Sequence, residues 1–429
     1  MRLILIDRPT PQRRNFYPLA LSRPIWELRC GMTSLAEKLL DRARPAETAC
    51  FLPPYLAEVY RRETDWPVNT PKSLSGADLL VVDARVKADG LAKLGEGPSR
   101  VFLDSDGKVL AARIVREDLA KLHTDSLEAL LASAKESLPL ADTGLPTWSY
   151  IWDLILANPA QLSEDFRTAG RSGIDGEARV EDPTAVRGSR GDIFVGRGAK
   201  IHPLVVLDAE HGPIYIDEGA EIHPFTRIEG PCYIGRKSIL LGAKCREGNS
   251  IGPLCRIGGE VEESIVQGYS NKYHDGFLGH AYVGQWVNLG ALTTNSDLKN
   301  DYSEVKISLD GRAQLPTGST KIGALIGDHT KTSIGTLLNT GACVGAMTLL
   351  VTSGTLLPKF IPSFTWHLND AITQGFGKDS LYATARTAME RRKCQWTEAD
   401  EAMWNAVYEI TAAEREEAIE RYKRRTGGK

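Results

Sequence analysis

Ile216-Asp217-Glu218-Gly219-Ala220-Glu221-Ile222-His223-Pro224-Phe225-Thr226-Arg227-Ile228 decides the fold. An aliphatic residue returns at every sixth position, Ile216, Ile222 and Ile228, and the beat continues to Ile234 and Leu240. Small or acidic residues follow several of them, as in Ile216-Asp217 and Ile234-Gly235. A second register runs Phe277, Val283, Leu289, with Gly284 and Gly290 behind the last two. A third runs Ile326, Thr332, Leu338, Val344, Leu350, Leu356. A helix repeats near 3.6 residues and a lone strand near 2. A sustained six-residue beat with Gly, Asn and Asp at the corners fits a parallel β-helix, in which each short strand is one side of a triangular coil. Aliphatic residues then stack inward, and small residues turn the corners because they tolerate positive φ. Such coils are usually left-handed, against the usual crossover rule. The alternative is a β-sandwich of short strands. The repeat spans about Asp192 to Pro358.

Outward from the repeat, the chain reads as three units: an α/β domain with a connecting helix over 1–162, the β-helix over 163–361, and a helical tail over 362–429. Leu3-Ile4-Leu5-Ile6 and Leu79-Leu80-Val81-Val82-Asp83 read as buried strands, and Leu35, Leu39 and Leu40 have helical spacing. Ser105-Asp106-Gly107-Lys108 between two apolar runs signals a hairpin. The pattern predicts a helix over 117–138 and another over 148–162. Residues 257–275 lose the beat, and 296–321 form a polar insertion. In the tail, 381–393 and 414–425 read as helices, and Thr397 with Asp400 forms a capping-box pattern. These helices are expected to cover the open end of the β-helix, whose last coil exposes edge backbone.

Composition excludes several classes. Net charge is −3 over 429 residues, which gives no sign of nucleic-acid binding. No apolar run reaches the 18 or so residues of a membrane span. The seven cysteines form no CxxC pair, which points to reduced thiols and a cytoplasmic protein.

Two places carry candidate chemistry. The loop after the first strand holds Arg8, Arg13, Arg14 and Arg23, which could grip phosphates or be solvated surface arginines. Asp83, at the end of a parallel strand, could hold Mg2+ beside phosphates or cap the next turn. Arg14, Arg23 and Asp83 are the nucleotide-binding candidates. The second place is Lys272-Tyr273-His274-Asp275, followed by Asn288, Thr293, Thr294 and Asn295. A neutral His274 at a coil corner could take a proton from an attacking amine or hydroxyl. Asn288, one residue before an inward position, should point outward. Lys299 and Lys306 could meet phosphates, and His280 is a second candidate base.

The pattern Lys272-x-His274, Gly279, then Val287-Asn288-Leu289-Gly290-Ala291 with Thr293 and Asn295, resembles the acetyltransferase half of the bifunctional enzymes of UDP-N-acetylglucosamine synthesis. Pro18-Leu19 and Arg23-Pro24 resemble the Pro-x-Thr…Lys-Pro segment of sugar nucleotidyltransferases. The whole layout is similar to a sub-family of sugar nucleotidyltransferases with a hexapeptide-repeat second half. The resemblance implies an N-terminal nucleotidyltransferase-like domain and a left-handed β-helix that transfers acetyl from acetyl-CoA. It also implies a sugar phosphate or nucleotide sugar as substrate, and a homotrimer with the acyl-transfer site between subunits. In it His274 is the general base and Asn288 contacts the sugar; the further substrate-binding candidates are Lys272, Thr293, Asn295, Lys299 and Lys306. The chain departs from the family in several places, among them the first domain's shorter length and Glu260-Val261-Glu262-Glu263-Ser264 where the family has sugar-phosphate lysines. Arg8-Pro9-Thr10-Pro11-Gln12-Arg13-Arg14 replaces the glycine-rich phosphate loop, and Phe277 replaces a Tyr. Three readings stay open: acyl transfer, nucleotidyl transfer with a β-helix that oligomerises and regulates, and a non-catalytic sugar-nucleotide-binding module.

Overall fold

The structure, a computed structural model, describes the chain apart from residues 95–96, 142–143, 353, 369–370 and 426–429, and the side chains at 93 and 425. Leu3 to Ile6 are buried on both faces, so β1 (Arg2–Ile6) is central in its sheet. It runs parallel to β2 (Glu47–Phe51) and β3 (Leu79–Asp83). The predicted hairpin, β4 (Arg100–Leu103) with β5 (Val109–Ile114), adds antiparallel to β3, giving the order β2-β1-β3-β5-β4. Helix α1 (Leu35–Ala43) starts on a Ser34–Glu37 capping box. The helix expected over 117–138 is two pieces, a single turn at Arg116–Leu119 and α2 (Leu127–Ser137). The break falls where Ser126 accepts the Ala129 N–H at 3.1 Å and so starts a new helix. Helix α3 (Ile151–Ala169) leads out and ends at Gly170 in the left-handed region.

The beat is realised as a parallel, left-handed β-solenoid. One flat face is a ten-stranded sheet in which each strand pairs with its counterpart one coil later, from Gly173–Ile174 to Phe360–Ile361. Ile216, Ile222, Ile228, Ile234 and Leu240 are all fully buried. The coils extend beyond the legible repeat because the first ones are polar: Gly173–Ile174, Arg179–Val180 and Ala185–Gly188 are mostly exposed or half-buried. The beat fades over 257–275 for a different reason. Registered partners there are Ile234 with Ile251 and Ile251 with Val266, steps of 251−234 = 17 and 266−251 = 15 residues, where three sides of six would take 18. The segment stays inside the coils, with Ile257, Val261 and Ile265 fully buried. Two predicted inward positions shift by one. Leu278 is buried where Phe277 is half-buried, and Leu357 is buried while Leu356 is 56% exposed. The 296–321 insertion does leave the coils, as a hairpin of Lys306–Ile307 and Leu315–Pro316.

Glycine turns some corners, as at Gly198 and Gly219, but Lys237, Leu254, Tyr269, Trp286, His329, Met347 and Phe364 also take positive φ. A left-handed bulky residue costs roughly 1–2 kcal/mol. Stacking along the edge offsets it: Tyr269 lies 4.4 Å from Trp286, ring to ring, and Trp286 6.0 Å from His329.

The last coil edge is closed chiefly by an antiparallel strand: Trp366–Leu368 pairs with Ala371–Thr373. Helices α4 (Lys378–Glu390) and α5 (Glu398–Ile410) lie along the side of the solenoid, where Phe364 packs on Tyr382, Trp404 and Tyr408. Thr397 and Asp400 form the expected box. Helix α6 (Ala412–Arg425) packs on the closing strand through Ile372, Ala418 and Ile419. A single apolar cluster joins Leu3 and Trp26 of the first domain, Ile265 and Tyr282 of the solenoid, and Trp404 of α5. No helix among the described residues is long and apolar enough to cross a membrane.

Candidate active site

His274 sits on the turn between the strands Asn271–Lys272 and Phe277–Gly279 and is exposed. Two residues on, Gly276 has φ +126, and an added Cβ would lie 2.2 Å from the Thr293 carbonyl oxygen. Only glycine lets this turn close against the next coil. Asn288 is exposed and stacks between Asn271 and Lys331 of the flanking coils. His274 and Asn288 open onto one cavity of about 870 Å³ between the solenoid and α4. The helix wall is lined by Ser380, Ala383, Thr384, Thr387 and Ala388, whose small side chains leave the cavity room. The solenoid wall carries the Tyr269–Trp286 stack, and Arg256, Arg391 and Arg392 supply positive charge.

Hydrogen bonds cross this cavity. Arg392 donates to Asn271 Oδ1 at 2.8 Å, and Asn271 Nδ2 donates to Asn288 Oδ1 at 3.1 Å. Burial holds the Arg392 guanidinium below its usual range. Lys331 also borders the cavity. Its Nζ donates to the carbonyls of Trp286 and His329, and burial pushes its pKa down to about 7 against the pull of Asp328.

The other expected substrate residues do not converge here. Lys272 is buried, donates to the carbonyls of Gly258 and His274, and is pushed down to about 8 by burial. It supports the His274 turn from behind. Thr293 is buried against Thr332, with Oγ1 to Oγ1 at 2.8 Å. Asn295 is buried and pairs with both backbone groups of Gly279, at 2.9 and 3.0 Å. Lys299 donates within the insertion to Ser303 and the Glu304 carbonyl, and Lys306 is exposed on the hairpin. His280 is buried between two acids. Its Nδ1 lies 2.8 Å from Asp297 and its Nε2 3.4 Å from Glu263. Burial alone would lower its pKa, but these carboxylates raise it to about 9. His280 is therefore an imidazolium at neutral pH, with no lone pair to act as a base.

In the first domain Arg8, Arg13 and Arg23 are engaged. Arg13 is buried, pairs with Asp7 at 3.0 Å, and donates to the carbonyls of Ala20 and Arg23, so it ties the loop together. Arg23 reaches across to Asp328 of the solenoid, which also accepts from Ser22 Oγ at 2.6 Å. Arg14 is exposed. Asp83 accepts from Arg85 Nε at 2.9 Å and lies 3.7 Å from Arg8. Asp7 and Asp83 stand at the C-terminal ends of adjacent parallel strands, where ligands usually bind. Each carboxylate is already held by an arginine, which does not suit Mg2+, an ion that needs free carboxylate oxygens. A second cavity of about 540 Å³ opens between α1 and α3, lined by Lys38, Lys87, Trp148 and Asp165. Lys87 Nζ sits 4.2 Å from the Trp148 ring centre.

Sequence reasoning missed Arg256, Arg391, Arg392, Tyr269, Trp286 and Lys331. Three of these are corner or near-corner residues of successive coils, and a ladder with one member per coil was available as a signal. The arginines on α4's end had no such signal.

Comparison with known proteins agrees with this layout. Residues 3–172 match the family described as sugar nucleotidyl transferase. The chain is also similar to the bifunctional sugar-1-phosphate nucleotidylyltransferase/acetyltransferase of Sulfurisphaera tokodaii, 36% identical over 87 residues, 20% of this chain and 21% of that protein. The bifunctional protein GlmU of Synechococcus elongatus is 27% identical over 214 residues, 47% of this chain and 42% of that protein. These matches span well under two thirds of either relative's length. Among solved structures, UDP-N-acetylglucosamine acyltransferase from Campylobacter jejuni aligns with 54% of this chain and 94% of its own, at 13% identity and a TM-score of 0.18. The fold assignment rests on strand register, not on that overlay.

Proposed function

We propose that this protein is a transferase of sugar-nucleotide metabolism that moves acetyl from acetyl-CoA to an amino-sugar phosphate or nucleotide sugar such as a UDP-N-acetylglucosamine precursor. The observation that carries the reading is the shared cavity of His274 and Asn288. His274 removes the proton from the acceptor amine as the N–C bond forms and the thioester C–S bond breaks, and the sulfur leaves as thiolate. Asn288, oriented by Asn271 and Arg392, holds the sugar. Arg256, Arg391 and Arg392 suit the phosphates of a nucleotide-bearing donor or acceptor, and the Tyr269–Trp286 stack offers a flat apolar surface. Similarity to bifunctional relatives supports the same chemistry.

Incubation with labelled acetyl-CoA and a panel of amino-sugar phosphates tests this, with acetylated product expected for the wild type and lost in His274→Ala. No acetylated product from any acceptor would sink the assignment. A second reading, nucleotidyl transfer, is favoured by the match over residues 3–172. Release of pyrophosphate from UTP, Mg2+ and a sugar 1-phosphate would establish it. If both assays fail while a nucleotide sugar still binds, the non-catalytic binding reading stands. We further propose a homotrimer built on the solenoid, in the cytoplasm. Leu204 and Phe225, consecutive on one corner and 49% and 77% exposed, offer apolar surface for association. The seven free cysteines, six of them buried, suit a reducing compartment. Sedimentation as a stable monomer at micromolar concentration would refute the trimer.

A further inference from the structure

The early coils, well away from the cavity of His274, repeat a short motif: Ile201-His202-Pro203-Leu204 and, one coil later, Ile222-His223-Pro224-Phe225. The strands that lead into it pair in register, Lys200 with Glu221 and Ile201 with Ile222. Ile201 and Ile222 point inward and are fully buried, so the residues on either side point out. His202 and His223 therefore stack, with ring centres 4.9 Å apart and planes at 18°. The Glu221 carboxylate reaches between them. Its Oε1 lies 2.9 Å from His202 Nε2 and 3.9 Å from His223 Nε2. One ligand atom from each of the three residues falls within 4.8 Å of the others.

We propose that His202, Glu221 and His223 form a binding site for a divalent transition metal of the zinc class. Two imidazoles and one carboxylate make a known zinc ligand set, with metal–ligand distances near 2.0–2.2 Å. Tetrahedral coordination at such distances places ligand atoms about 3.3 Å apart. The two carboxylate-to-imidazole distances bracket that value, and small side-chain rotations would bring the imidazoles closer together. The donors ride on paired strands of a stacked coil, so their backbones are already fixed in position. Glu181, on the preceding coil, lies 3.8 Å from His202 Nδ1. In this structure Nε2 faces the Glu221 carboxylate and holds the ring proton; metal binding at Nε2 would leave the proton on Nδ1, where a small shift of Glu181 lets its carboxylate accept it. The three residues are 29–32% exposed, which gives an ion a way in and leaves a fourth position to water or a small ligand. The acidic group Glu247, Glu262 and Glu263 offers only carboxylates to an ion, and the nearby His280 imidazole is already held by Glu263 and Asp297.

The test uses the full chain, stripped of metal with a chelator and titrated with Co2+ and Zn2+ near neutral pH. One equivalent is expected to bind with high affinity, to give the visible absorption of tetrahedral Co2+, and to weaken as the imidazoles protonate on acidification. His223→Gln and Glu221→Gln should each lose that absorption. The conservative Glu181→Gln, outside the ligand set, should weaken binding by roughly 10–100-fold. Circular dichroism and melting of each variant verify folding. Failure of the wild type to bind a stoichiometric equivalent overturns the proposal. So does undiminished binding in a folded His202→Gln/His223→Gln double variant. Should that double variant fail to fold, undiminished binding in Glu181→Gln overturns it instead.

Discussion

Two charged regions of this chain solve opposite problems. At the C-terminal edge of the first-domain sheet, Asp7, Asp83, Arg13, Arg85 and Arg8 pair among themselves, and Arg23 is joined to Asp328 of the solenoid. Between the solenoid and the end of α4, Arg256, Arg391 and Arg392 border a cavity of about 870 Å³; Arg392 donates to Asn271, Arg256 lies over the Tyr273 ring, and among the described residues none of the three is in an ion pair. Ionised groups already paired in a buried setting must lose those partners before a ligand can use them, and that costs several kcal/mol. Cations bordering an open cavity lose water and contacts with neutral groups, which costs less. Charge content alone therefore does not mark a ligand crevice: what distinguishes the two regions is which charges are already engaged.

The largest effect should come from the open region. His274→Ala is expected to lower acetyl transfer by roughly 10²–10⁴, the usual span for a general base. Because His274 is exposed, its melting temperature should match the wild type. A variant that turns over normally would show that the open region does not hold the base. On the closed side, Arg23→Ala leaves the buried Asp328 carboxylate without its cation and should destabilise the protein by about 3–5 kcal/mol. Urea unfolding measures it. If stability barely changes, the first domain is not locked to the solenoid through this pair.

His280 gives a third test, read by pH. Its folded pKa of about 9 lies above the ordinary 6.5, so the protonated form is favoured in the native state. The stability this supplies is fully present below about 6.5 and is lost as pH rises through about 9. Melting temperature should fall across that window, and His280→Gln should flatten the fall. The same variant should keep more activity than His274→Ala, because a protonated imidazole clamped by Asp297 and Glu263 is not the base.

The solenoid was legible because its physics is periodic. Ile216 to Leu240 repeat at the interval of one triangular side, and each lands in the core. Legibility failed where the interval changed, since coils of 15 and 17 residues shift the inward position without weakening the stacking. It failed again at Leu278 and Leu357, where two neighbouring apolar residues compete for one inward position. Asn288 was found because a polar residue beside an inward one must face out, and His274 because it sits at a coil corner among polar residues. Thr293 and Asn295 look alike by that rule, yet they turn in and satisfy the backbone of the adjacent coil. Arg23 was unreadable for a stronger reason. Its partner Asp328 is 305 residues away, and no local pattern reports such a contact.

The smallest change is expected at Arg392. Arg392 reaches Asn288 only through Asn271, so it can act either on a ligand's phosphate or on the orientation of Asn288. A cation that contacts phosphate equally in the bound and transition states changes KM and leaves kcat alone. Arg392→Ala should therefore raise KM for the phosphate-bearing substrate on the order of tenfold, which is 1.4 kcal/mol, with kcat within about twofold. The effect should shrink modestly as salt is raised, since a half-buried charge is only partly screened. Melting should move little, because Asn271 can accept from water instead. A fall in kcat with KM unchanged would assign Arg392 to positioning Asn288, and Asn271→Ala would then reproduce it. If neither parameter moves, the positive charge at this end of α4 serves no ligand, and the contrast between engaged and open charges loses its functional meaning.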